Sequence, residues 1–345
     1  MDLSLTESQV DLQNLFVDFF AKESTIEVVR AAEPDGFDAS LWQKATEMGL
    51  PVMAVPERVG GGGGSIADLT LMAIEAGRRL APVPLVEAGV ASNLLARTAD
   101  GAELVSEVAE GARLPTLALR PASGGTASLV PAGAVADVVV ALDGSQLVAS
   151  VHPPGQDRYG AVPPNLGASP LADRPLSSDG SEIIVLARGL EAMDLHRRAV
   201  AEWKLLTAAS LEGIRAEALR IGVEYVKERI VFGKPLGWFQ AVQHRLADVS
   251  AAGDGAELLV HEAAWALDQD RDEAEQLCSM AFLFLRDLSF RTCRESLQFH
   301  GGYGYTLEYD IQLYFRRAKA WPLALGDPRR ELRRLAALLF EEPTT

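Results

Sequence analysis

Two short stretches combine fixed charge, amides and glycines in a way that suits an anionic ligand. The first runs from Arg229 through Phe232, Gly233, Pro235 and Phe239 to Gln240; the second runs from Gln298 through Gly301, Gly302, Gly304 and Tyr305 to Glu308. Each lies at a helix end. Arg229 can pair with a phosphate, and Gln240 and Gln298 can hydrogen-bond neighbouring ester oxygens. Gly301-Gly302 lets the backbone approach a bulky anion with no Cβ in the way, and a helix opening beyond it would add its N-terminal amides. From spacing alone a second reading stands beside this one: two ordinary helix-terminating loops.

Other candidate motifs are incomplete. Gly60–Gly64 looks like a phosphate cradle, but the flanking segment is helical and no βαβ unit with a ribose-binding acid follows, so a flexible connection is expected. His261-Glu262 opens like a zinc-binding HExxH but Trp265 stands where the second imidazole belongs, and no metal site is expected. His300-Gly301-Gly302 could serve a hydrolase oxyanion, yet no GxSxG nucleophile exists for it.

The elements that must position these residues are mostly helical. Apolar residues recur at helical spacing from Thr6 to about Arg30, and helices are predicted over Ala39–Met48, from an N-cap at Ser65 to Arg79, and over Val86–Arg97. Between about Leu114 and Leu186 β-branched runs take over. A hairpin is predicted from Asp137–Leu142 and Ser145–Val151 with Asp143-Gly144 as its turn, then an irregular loop over His152–Asp179, then a strand at Glu182–Ala187. Helices return at Asp194–Lys227, Phe239–Gln269, Asp272–Phe299 and Pro328–Phe340, and short loops make them an antiparallel bundle.

Composition sets the outer limits. The 345 residues, 48% hydrophobic and only 7% aromatic, suit an Ala/Val/Leu-rich helical core. A net charge of −16 argues against nucleic acid or an anionic membrane as partner. The two cysteines, Cys278 and Cys293, form no CxxC; the N-terminus carries acids where a secretory signal carries bases, and no uncharged apolar run reaches about 18 residues. A cytoplasmic protein is expected.

Taken together, the motifs resemble those of the acyl-CoA dehydrogenases. The pattern R-x-x-F-G-x-P-x-x-x-F-Q is matched at Arg229, Phe232, Gly233, Pro235, Phe239 and Gln240, and Q-x-x-G-G-x-G-Y-x-x-E at Gln298, Gly301, Gly302, Gly304, Tyr305 and Glu308. Pro56-Glu57 with Gly60-Gly61, and Arg316 with Ala318-Lys319, extend the likeness over nearly the whole chain. The resemblance implies a mainly α fold in three parts: an N-terminal helical domain (1–113), a small middle β domain (114–188) and a C-terminal antiparallel four-helix bundle (189–345). It implies FAD as cofactor, with Arg229, Phe232, Gln240, Gln298, Gly301 and Gly302 at its adenosine and pyrophosphate half, largely across a subunit interface.

The family reaction, α,β-dehydrogenation of an acyl-CoA thioester, needs a glutamate base. The resemblance places that base just before a Gly-Thr pair, where this chain has Leu325 before Gly326-Asp327, or on the first bundle helix 29 residues before the Phe of the FG motif, where it has Trp203. Glu202 stands beside Trp203, about 100° away around the helix. The Thr-Glu-Pro and Trp-x-Ser/Thr segments with which relatives hold the flavin ring are missing as well. Such a chain resembles the degenerate subunit of actinobacterial α2β2 acyl-CoA dehydrogenases, in which a homologous catalytic subunit supplies the glutamate. The implied substrate is an acyl-CoA, including steroid-derived thioesters, and the implied acceptor is an electron-transfer flavoprotein or similar protein. Two other readings stay open: a self-sufficient homo-oligomeric enzyme using Glu202, and a flavin-free scaffold.

Overall fold

The computed structural model describes residues 3–153, 159, 163–178 and 180–340. The opening amphipathic run divides into α1 (Glu7–Glu23) and α2 (Ile26–Ala31) instead of forming one helix. Thr6 and Gln9 cap α1 reciprocally, with Thr6 Oγ1 accepting from the Gln9 N–H at 3.2 Å. Ser24 ends it: its hydroxyl donates to the Arg79 carbonyl at 3.2 Å, a non-helical alternative of the kind serine offers the backbone. Next comes α3 (Ala39–Glu47), with the Asp38 carboxylate accepting from the Leu41 N–H at 2.7 Å. In α4 (Ile66–Arg78) the expected cap holds, because Ser65 Oγ accepts from the Asp68 N–H at 3.0 Å.

The glycine run before α4 is not the flexible connection expected. The N–H groups of Gly62, Gly63 and Gly64 donate to the carbonyls of Val52, Val55 and Met53 at 2.8–3.0 Å, and a methyl group at Gly61 or Gly62 would overlap that backbone. The run is glycine because two backbones touch. Beyond it lie α5 (Leu85–Ala96) and α6 (Ala102–Ala109), the latter too short to show a periodic signal in the sequence.

Among the described residues six strands follow: β1 (Pro115–Leu117), β2 (Thr126–Val130), β3 (Val138–Asp143), β4 (Gln146–Val151), β5 (Ala172–Pro175) and β6 (Glu182–Arg188). They form a four-stranded sheet in the order β1-β3-β4-β6 and a separate β2-β5 pair. The hairpin is the expected one, displaced by one residue. Asp143 pairs with Gln146, so Gly144-Ser145 is the loop, with Gly144 at φ 57°. Of the irregular stretch expected over His152–Asp179, residues 154–158, 160–162 and 179 lie outside the described residues. Within the remainder β5 pairs with β2, and Asn165 Oδ1 accepts from both Gly167 and Ser169 N–H at 3.1 Å. Four residues with alternating burial carry too little apolar signal to stand out, and pairing to β2 orders them. Val130, Val139, Val148 and Leu176 pack one face of this core.

The second helical part opens with α7 (Gly189–Glu228), then the two-residue strands β7 (Ile230–Val231) and β8 (Lys234–Pro235), then α8 (Gln240–Asp268), α9 (Ala274–His300), α10 (Ile311–Ala320) and α11 (Pro328–Phe340). Helix α10 is an addition to the elements expected from sequence, because its ten residues carry a mixed charged and aromatic pattern. The chain forms two compact units that are not consecutive stretches: one comprises 1–26, 70–81 and 205–345, the other 27–69 and 82–204. In the first, Gly77 of α4 and Gly213 of α7 bring those helices into backbone contact, since a methyl at either would overlap Ser210 or Ile74. Among the described residues no helix is long and apolar enough to cross a membrane.

Candidate functional site

In the first unit the two motif stretches build one cleft. After the last turn of α7, the Arg229 N–H still donates to the Tyr225 carbonyl at 2.9 Å, and the chain then reverses through β7 and β8. Phe232 and Gly233 form the turn with φ of 52° and 77°, and the Leu236 N–H closes it on the Arg229 carbonyl at 2.7 Å. Positive φ at both positions is what a two-residue hairpin of this twist requires, and for phenylalanine it carries strain of roughly 1–2 kcal/mol. Phe232 is 93% exposed at the tip. Lys234 Nζ lies 4.4 Å from the centre of the Trp238 ring, a cation–π contact that stiffens the base of the hairpin.

The other wall comes from the end of α9. Gly301 leaves the helix at φ 63°, ψ −142°, a region only glycine enters without strain, and its N–H returns to the Gln298 carbonyl. Side chains at Gly301 or Gly302 would meet nothing within 4 Å, so here glycine leaves the backbone bare, while Gly304 is packed against Leu297 and His300. The cleft measures about 490 Å³, and Arg229, Gln298, Gly301 and Gly302 all line it. Phe232 and Gln240, expected at the same ligand, stand outside its lining, both exposed. Tyr225 stacks on His300 at 3.9 Å between ring centres. Burial keeps the His300 imidazole below its usual range, although its ring nitrogen bonded to the Ser296 carbonyl opposes this.

Charge in this cleft runs against the whole molecule. Arg229 and Arg245 line it and, among the described residues, no carboxylate does, in a chain of net charge −16. Arg229 has no ion-pair partner among the described residues, so its guanidinium is available. Two cations beside glycine backbone that no side chain shields fit the diphosphate of a dinucleotide such as FAD.

The positions expected for a base lie elsewhere. Leu325 ends a short 3-10 turn, Trp321–Leu325, ahead of Gly326 at φ 110°. In the second unit Trp203 is 2% exposed, and its indole N–H donates to Glu87 Oε1 at 3.2 Å. Burial pushes the Glu87 carboxyl above the usual carboxylate range. Glu202 is fully buried, with Oε1 2.6 Å from Arg97 and 3.4 Å from Arg198. A carboxylate shared by two guanidiniums is held as an ion-pair anchor.

Comparison with known proteins gives this geometry its family. Residues 6–102 match the model for the acyl-CoA dehydrogenase N-terminal domain, and residues 193–339 match that for the C-terminal domain. The chain belongs to the acyl-CoA dehydrogenase family. It is 31% identical to acyl-CoA dehydrogenase IpdE2 of Mycolicibacterium smegmatis over 97% of this chain and 100% of that one. IpdE2 of Mycobacterium tuberculosis is also 31% identical, over 98% and 99%. Among solved structures, the ChsE4-ChsE5 complex from Mycobacterium tuberculosis superposes with a TM-score of 0.86 at 27% identity, covering 100% of both chains. The Tcur3481-Tcur3483 steroid ACAD G363A variant does so with 0.84 at 26%, covering 97% and 98%.

Within this acyl-CoA dehydrogenase chain, sequence reasoning missed Tyr225 and Arg245. Tyr225 stands one helical turn before Arg229 and could have been found from that spacing. Arg245 gives no such signal, because a lone arginine on an amphipathic helix reads as solvated surface.

Proposed function

We propose that this chain is the non-catalytic subunit of an FAD-dependent acyl-CoA dehydrogenase with two kinds of subunit, acting on a CoA thioester of steroid origin. The observation that carries the reading is a contrast within one chain. The cleft holds Arg229, Gln298 and bare Gly301-Gly302 together, while both positions for the base hold side chains that accept no proton, Leu325 and Trp203. The steroid assignment draws on the related Tcur3481-Tcur3483 steroid ACAD, and the partner on that pair and on ChsE4-ChsE5.

In this reading Arg229 donates to a phosphoryl oxygen, Gln298 hydrogen-bonds a neighbouring ester oxygen, and the Gly301-Gly302 backbone admits the diphosphate closely. Phe232 and Gln240, outside the cleft lining, act at its rim across the subunit contact. When bound, FAD supplies the acceptor for the substrate's β hydrogen, and electrons pass on to an electron-transfer flavoprotein or similar acceptor. The α proton goes to a carboxylate of the catalytic partner. Glu202 has a structural part, since a general base must reach its proton and Glu202 is enclosed beneath Arg97 and Arg198.

Purification of the chain alone and with its partner tests the proposal. The lone chain is expected to hold little flavin and to show no turnover, and the pair to be yellow and active. Full turnover by the lone chain with stoichiometric FAD would overturn it.

A further inference from the structure

The cleft contains a cation that neither motif supplies. Arg245, on the second turn of α8, lines the same cleft as Arg229. Its Nη1 donates to Glu295 Oε2 at 3.1 Å. Glu295 is 8% exposed, lies on α9 three residues before Gln298 and is not among the lining residues. An exposed arginine on a helix ordinarily samples many rotamers. This one donates to a largely buried carboxylate on a neighbouring helix, whose other oxygen accepts from Arg294 Nη2 at 3.0 Å, and that contact narrows its range. Its side chain is 56% exposed, and a guanidinium that gives one donor to a carboxylate keeps others for a ligand. The cleft therefore offers two planar forks, one tethered and one untethered, with no acid in its lining.

One fork matches the oxygens of one phosphoryl group. Two forks match two. We infer that Arg245, positioned by Glu295, is a second phosphate-binding residue of this cleft, so that the ligand selected is a diphosphate ester gripped at one phosphoryl group by Arg229 and at the other by Arg245. The inference rests on the reading of the cleft as a nucleotide site, and it adds which ligand class is chosen and by which residues. Charge alone would not make that choice, because a 5′-monophosphate and a diphosphate diester both carry about −2 near neutral pH. Separation between the two phosphoryl groups makes it.

The test uses the full chain, with any partner that co-purifies, after removal of flavin, and titrates it calorimetrically with ADP-ribose and with AMP. Wild-type protein is expected to bind ADP-ribose about 10-fold more tightly than AMP, the worth of one charge-assisted contact. Arg245→Gln should reduce that preference to about 2-fold, weakening ADP-ribose more than AMP, and Glu295→Gln should shift it the same way by less. Arg245→Lys keeps charge and most of the stem but loses the fork; it guards against a variant that fails to fold and should leave a preference of about 3-fold. An undiminished preference in either Arg245 variant, or equal losses for both ligands, overturns the inference while leaving the nucleotide reading intact, provided that Arg229→Gln weakens both ligands. No binding of either ligand by wild type, or no effect of Arg229→Gln, overturns the nucleotide reading together with it.

Discussion

At the scale of single residues, buried charge separates structural roles from chemical ones. Glu202 and Arg97 form a contact of 2.6 Å with the glutamate fully buried. Removing the carboxylate charge takes from Arg97 its 2.6 Å ion-pair partner, so Glu202→Gln should lower stability by about 1.5–3 kcal/mol. Turnover of the assembled complex should stay unchanged. Urea unfolding beside an acyl-CoA assay separates the two effects, and lost turnover at unchanged stability would restore Glu202 as base. The middle region carries a second case. Burial raises the Asp137 carboxyl from 3.8 to about 7, opposed by its Leu114 N–H bond and by Arg113 and Arg174. Burial, aided by Arg174, lowers His152 from 6.5 to about 4. The native state keeps a proton on Asp137 that the unfolded chain releases, so the stability it contributes at low pH is lost as pH rises from 3.8 through about 7. His152 acts in reverse: the unfolded chain takes a proton the native state refuses, and stability falls as pH drops from 6.5 towards 4. The Tm of Asp137→Asn relative to wild type should therefore rise between about pH 5 and about pH 8; a constant difference would contradict the assignment.

At the scale of elements, three glycines with different surroundings make different predictions. Gly213 of α7 lets the Ile74 backbone of α4 come into contact, and alanine there should cost about 1–3 kcal/mol by overpacking. A methyl group on Gly255 of α8 would meet nothing within 4 Å, so alanine there should raise stability by about 0.5–1 kcal/mol through helix propensity. Denaturant midpoints of the pair are expected to shift in opposite directions. Gly301→Ala acts through conformation instead, because φ 63° with ψ −142° strains any L side chain. The end of α9 should then shift by rearranging its last turn, and the loss expected is in nucleotide retention, read by flavin absorbance of the purified complex.

At the scale of the whole molecule, the proposal concerns assembly. If this chain supplies phosphate contacts and its partner supplies the base, the α2β2 complex should carry one flavin for every two chains, measured by absorbance against protein concentration. One flavin per chain would mean that this subunit holds a complete site of its own. The net charge of −16 also takes on a local meaning. Against that acid excess, the cleft is lined by Arg229 and Arg245 and by no acid among the described residues.

The sequence by itself determined the helical class, the β interlude and the paired motifs, because each depends on residue type and near spacing. Ser65 announces its helix start through a contact only three residues long. Arg229, Gln298, Gly301 and Gly302 were legible for the same reason, as members of two compact patterns. Tertiary structure alone decided what depends on distant partners. It ordered β5 through β2, pinned Gly62–Gly64 against the Val52–Val55 backbone, and enclosed Glu202 under Arg97. It also brought Arg245 to Glu295 across fifty positions of chain. Such contacts leave no periodicity in sequence, since the energy that selects them comes from desolvation and close packing between elements that only the folded chain brings together.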